Sequence, residues 1–156
     1  MNSAAAGTLI ALQCFVALFV ALHNWIPLGS LNDVQAVRSE FTTRKLFVTT
    51  LINFTPVAIG LACSIFYLRR GFPPWLFWFL WIFYGLACYG SLQAWWIPYF
   101  SHPGSARVAR ERKMYANTHS FLPERHGVRP NTLHVLFDVA TIAILIVLAV
   151  LTAQSR

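Results

Sequence analysis

Charge is what this sequence has least of. Only 11% of its 156 residues are Asp, Glu, Lys or Arg, against about 25% in an ordinary soluble domain, which excludes a conventional water-facing surface. Its three cysteines, Cys14, Cys63 and Cys88, form no C-x-x-C pair. No disulfide framework is implied, and a thiol inside an apolar run serves as a small apolar side chain. No Lys or Arg precedes Arg38, so the first apolar run lacks the positive leader of a secretory signal and reads as a retained helix. Walker, zinc-protease, Rossmann and G-x-S-x-G patterns are all missing, as are desaturase histidine boxes. The Lys and Arg residues total twelve against five Asp and Glu, yet they do not interleave on a soluble face, which argues against a nucleic-acid partner.

Apolar runs are what is present. Hydrophobic residues make up 57% of the chain and collect in four blocks, 4–26, 46–68, 75–100 and 133–152. Each is near the roughly 20 helical residues that cross a hydrocarbon core of about 30 Å, and none alternates with period two. Lipid demands that backbone groups be satisfied within the segment, which selects helices. The fold class expected is therefore an all-α integral membrane protein. It forms a single membrane domain, a four-transmembrane-helix bundle with a long cytoplasmic loop between helices 3 and 4. Loops 27–45 and 101–131 carry nine of the twelve basic residues; Arg69, Arg70 and Arg156 fall on the other side. Basic loops stay cytoplasmic, so both termini are expected outside a plasma or inner membrane. Trp25, Trp75, Trp95, Trp96 and Tyr99 stand near the expected interfaces.

The helical loop 31–45 opens on Ser30-Leu31-Asn32-Asp33, an Asp variant of the capping box with Ser30 as cap. With no Pro or Gly between Leu31 and Phe54, it reads as an extension of span two, the other form being a short interfacial helix. The basic polar loop 101–131 contains SARVARERKMYANTH, whose Val108, Tyr115 and His119 share a helical face. A basic amphipathic helix of this kind suits anionic lipid head groups. Two prolines and Gly127 then mark turns, and Asn131 after Pro130 is the expected cap of span four.

Capping does not account for the titratable groups that follow. His134 and Asp138 are four apart on one helical face, and Asp138 is the only acid in any span. Such groups are costly in a membrane and usually face the bundle interior. The expected partner of Asp138 is His134 or Arg129. His23 lies at matching depth on span one, and all five histidines, His102 included, fall on the same half. His23, His119, His134 and Asp138 form a donor set that suits Zn or Fe. A bis-His haem between spans one and four is the weaker form of the same idea. In a catalytic reading His134 is base or ligand and Asp138 its orienter. Arg125, Arg129, Asn131, Trp95 and Trp96 would hold a ligand or its head group. Arg129-x4-His134-x3-Asp138 resembles the last motif of membrane phosphatidate phosphatases. It is one residue short between Arg and His, and the Lys-containing and Pro-Ser-Gly-His companions are absent. Four spans with both termini outside are similar to the membrane glutathione-transferase plan, of which only Asn53 near Pro56 is shared. No family is recognised.

The expected function is a small membrane protein binding a lipophilic or anionic amphipathic ligand at its loop end. A metal- or His-dependent enzyme on a lipid-like substrate is the alternative. An accessory or self-associating subunit, partnered by the bilayer or by a second copy, is the third class.

Overall fold

A computed structural model of the chain describes residues 3–101 and 106–154, without the side chains of Ala106 and Arg107. His102 and Arg156 lie outside the described residues. The helices are α1 (Ser3–Leu22), α2 (Val34–Glu40), α3 (Thr43–Tyr67), α4 (Pro74–Ser91), α5 (Ile97–Phe100), α6 (Ala106–Tyr115) and α7 (Thr132–Gln154). A 3-10 turn at Gly29–Leu31 precedes α2, and a π-helical turn, Leu92–Trp96, joins α4 to α5. Four segments, α1, α3, Pro74–Phe100 and α7, are long and apolar enough to cross a membrane. Their outward faces carry Leu18, Ile52, Ile65, Trp78, Ile82 and Ile146, all exposed. Exposed apolar residues along whole helix faces are consistent with a membrane protein and are unlike a soluble bundle, which hides that stripe.

The helices alternate in direction, so one end of the bundle holds the long loops and the other the Tyr67–Pro74 turn. The core gathers Leu9, Val16 and Val20 of α1, Val57 of α3, Leu76, Leu80 and Tyr84 of α4, and Ile144, Leu148 and Leu151 of α7. Gly60 brings α3 against α4: a Cβ there would stand 3.1 Å from Leu80 Cδ2 and 3.3 Å from Phe79 Cε1. α3 runs unbroken through Pro56.

The first loop departs from the expected form. Thr42 caps a new helix by accepting from the Lys45 N–H at 3.3 Å, and Phe41 is extended. The segment is thus a separate short helix and no extension of span two. Its cap is Asp33, which accepts from the Ala36 N–H at 2.9 Å, while Ser30 lies in the preceding 3-10 turn. α6 packs its apolar face onto the bundle. Met114 packs with Val37 and Leu46, and Val108 packs with Trp95, Tyr99 and Val128. Lys113 pairs with Glu40 at 2.5 Å and Arg112 with Glu124 at 3.3 Å. Arg125 and Val128 close a tight hairpin over His126 (φ 50°) and Gly127 (φ 76°), the two positive-φ positions of a type I′ turn.

Candidate functional site

His134 sits at the loop end, one turn into α7. Asn131 is fully buried, and its carbonyl accepts from the Val135 N–H, the first bond of the helix. Its side-chain Oδ1 accepts from the His134 N–H at 2.9 Å and from His134 Nδ1 at 2.6 Å, while Nδ2 donates to the Leu31 carbonyl at 3.2 Å. A backbone N–H only donates and a carbonyl only accepts, so the orientation of the amide is set. Nδ1 of His134 therefore carries the proton, and Nε2 keeps its lone pair. The same logic holds for His23, whose Nδ1 donates to the Phe19 carbonyl at 2.8 Å.

The two imidazoles meet edge to face, ring centroids 5.8 Å apart at 90°. Around His134 stand Trp95 at 4.9 Å, Tyr115 at 5.0 Å and Phe19 at 5.4 Å. His23 stacks on Phe19 at 4.3 Å. Burial, with the charge of Glu111 adding to it, pushes the Tyr115 phenol up to about 12. Tyr115 therefore remains a neutral ring at physiological pH.

Asp138 turns away from this box. Its Oδ1 accepts from the Ser91 hydroxyl and its Oδ2 from Trp96 Nε1 at 2.8 Å. The π-helical turn makes this possible. The Ile97 N–H reaches back to the Leu92 carbonyl, and a five-residue turn brings Ser91 and Trp96 toward one face, where an α-helix would part them. The expected pairing of Asp138 with His134 or Arg129 is thus replaced by two neutral donors from α4 and the π-turn. Arg129 instead donates from Nη2 to the Thr118 carbonyl at 2.6 Å. Arg125 lies exposed with its guanidinium 5.5 Å over the Tyr99 ring.

Of the four residues read as metal donors, the structure brings only His23 and His134 together. His119 is exposed, and its Nδ1 bonds Thr132 Oγ1 at 2.8 Å. No group of three or more His, Cys, Asp or Glu suited to a metal occurs among the described residues. Asn131 is buried and positions His134. Trp95 walls the aromatic box, and Trp96 holds Asp138.

A cleft of about 450 Å³ opens beside His23, lined by Phe19, Val57, Phe83, Ala87, Gly90 and Phe137 among others, with Asn53 at its edge. Its walls come from α1, α3, α4 and α7, and no Lys or Arg lines it. On the loop side of His134, a smaller cavity of about 190 Å³ is bounded by Trp95, Tyr115, Arg112, Glu124 and Arg129. Asn32 has no role in the sequence reading, yet it fixes this end. Buried, it accepts from the Leu28 N–H at 2.6 Å and donates to the carbonyls of His23 (2.6 Å) and Ile26 (2.8 Å). Comparison of the chain with protein-family models, curated proteins and solved structures finds no match.

Proposed function

We propose that the protein binds a neutral lipophilic molecule at the loop end of its bundle. The molecule enters from the bilayer between α3 and α4, and its hydrogen-bonding head meets His23 and Asn53. The supporting observation is the cleft itself: about 450 Å³, apolar along its length, free of Lys and Arg, and ended by a histidine. That pattern, an apolar pocket with few polar groups at one end, is typical of small-molecule sites. His23 offers a lone pair on Nε2, so a hydroxyl or amide N–H is the head group it recognises. The anionic amphipath is the weaker ligand, because Arg125 and Arg129 are engaged on the loop side with Tyr99 and Thr118. We place the long loops in the cytoplasm on the nine-to-three distribution of basic residues.

The test is solvent extraction and mass spectrometry of protein purified in native-lipid particles. Gly90 lines the cleft and has open space at its Cβ position, so Gly90→Leu directs a bulky side chain into it. A compound enriched on the wild type and absent from Gly90→Leu is expected; identical lipid profiles would end the proposal. A cysteine in place of Glu124 should react with an impermeant thiol reagent only after permeabilisation.

One observation favours a second, catalytic reading. Both imidazoles hold Nε2 as a proton acceptor, and the His134 ring touches Phe19 and His23 of the cleft and Trp95 and Tyr115 of the smaller loop-side cavity. On that reading the extracted compound is converted by the wild type and returned unchanged by His134→Gln. Zinc or iron assay of the wild type beside His134→Ala decides whether a metal takes part.

A further inference from the structure

The opposite flank of α7 carries a second groove, separate from the His23 cleft. It measures about 590 Å³ and runs between the π-turn with α5 on one side and α7 on the other. Leu92, Trp96, Ile97, Phe100, Val139 and Ile142 line it, and Asp138 lies at its base. Trp96 and Phe100 stack with ring centroids 6.2 Å apart at 21°.

Asp138 is held by two uncharged partners. An indole N–H can only donate, so Oδ2 is an acceptor, while the Ser91 hydroxyl bonds the other oxygen and can donate to it or accept from it. The pattern fits the carboxylate and the neutral acid alike. Among the described residues no Lys or Arg pairs with it. A carboxylate can accept about four hydrogen bonds, and two neutral donors leave half of that capacity and all of the charge unmatched. A buried charge without a counter-charge is costly in any apolar setting and more so at membrane depth. Gln93 of the same turn points elsewhere, bonding the Tyr89 hydroxyl at 3.0 Å. The groove therefore offers one carboxyl group that a bound cation would hold ionised, two aromatic rings and an otherwise apolar wall.

We infer that this groove is a binding site for a lipophilic cation, a hydrophobic amine or quaternary onium compound. Its charge sits beside Asp138, and its body lies along Val139, Ile142 and the rings of Trp96 and Phe100. Aromatic faces attract a desolvated cation, and the cation supplies the countercharge that Asp138 lacks within the protein. The groove volume lies within the range of about 300–1,000 Å³ usual for small-molecule sites. Loss of the carboxylate should cost tenfold or more in affinity, the equivalent of a single ionic contact of about 1.4 kcal/mol.

The probe is radiolabelled tetraphenylphosphonium, measured at equilibrium on the full chain in detergent micelles, with neutral triphenylphosphine oxide as competitor. Saturable binding near one per chain is expected. It should weaken by about tenfold or more in Asp138→Asn, persist in Asp138→Glu, and resist competition by the neutral compound. Ile142→Trp, which fills the groove from α7 and leaves the carboxyl group in place, should also abolish it and guards against misfolding of Asp138→Asn. Non-saturable uptake would overturn the inference. So would equal affinity in folded Asp138→Asn, unaltered binding in Ile142→Trp, or displacement by the neutral compound at equal concentration.

Discussion

Replacing Asn131 with alanine should destabilise the loop end by about 3 kcal/mol, and the figure can be worked from three contacts. The side chain caps α7 through the His134 N–H at 2.9 Å, and loss of an Asn cap costs about 1 kcal/mol. It also accepts from His134 Nδ1 and donates to the Leu31 carbonyl. Each group left without a partner in a dry setting adds about 1 kcal/mol or more. Asn131 is completely buried, so water cannot replace these bonds without opening the packing. Serine separates the terms. It is a good cap but too short to reach Leu31 or the imidazole, so Asn131→Ser should recover about 1 kcal/mol of the loss. The assay is SDS titration of the protein in mixed micelles, followed by circular dichroism. A cost below about 0.5 kcal/mol for alanine, the size of an ordinary surface substitution, would refute the reasoning. Complete rescue by serine would show that only the cap matters and that the bonds to His134 and Leu31 contribute nothing.

The remaining predictions probe other parts of the same architecture. Trp96→Phe removes a hydrogen bond to a carboxylate and should cost about 2 kcal/mol in wild type but little in an Asp138→Leu background; equal costs in both backgrounds would disprove the bond. Gly60→Leu should force α3 from α4, because even a Cβ there stands 3.1 Å from Leu80. The expected loss in the same titration is about 1–3 kcal/mol. Tyr115 ionises at about 12 in the folded protein, against about 10 in the unfolded chain. The folded state thus favours the neutral phenol, and its contribution is intact below pH 10 and lost progressively from about 10 to about 12. Tyr115→Phe should flatten that alkaline decline; an unchanged slope would remove Tyr115 as its cause.

The spans were legible because length and apolar composition suffice to mark them; α1, α3, Pro74–Phe100 and α7 fall within a few residues of the blocks expected. The first loop was harder. Without Pro or Gly, nothing in Phe41–Thr42 announces a break, and only the capping of Lys45 by Thr42 creates one. The cap at Asn131 was readable from its place after Pro130, but its hold on the His134 ring was not, since that requires the amide to be turned by Leu31, a hundred residues away. The Asp138 reading illustrates the limit most sharply. Four-residue spacing does put His134 and Asp138 on one face, but a shared face is not a shared bond, and each group found a nearer partner. The partners of Asp138 come together through a π-helical turn, which periodicity at 3.6 residues cannot foresee. The sequence did contain one cue. Pro98 has no N–H to give the Ala94 carbonyl and would collide with it in a regular helix. A turn widened just before the proline, at Leu92–Trp96, is one way for the chain to continue as a helix. The same widening delivers Ser91 and Trp96 together to the carboxylate.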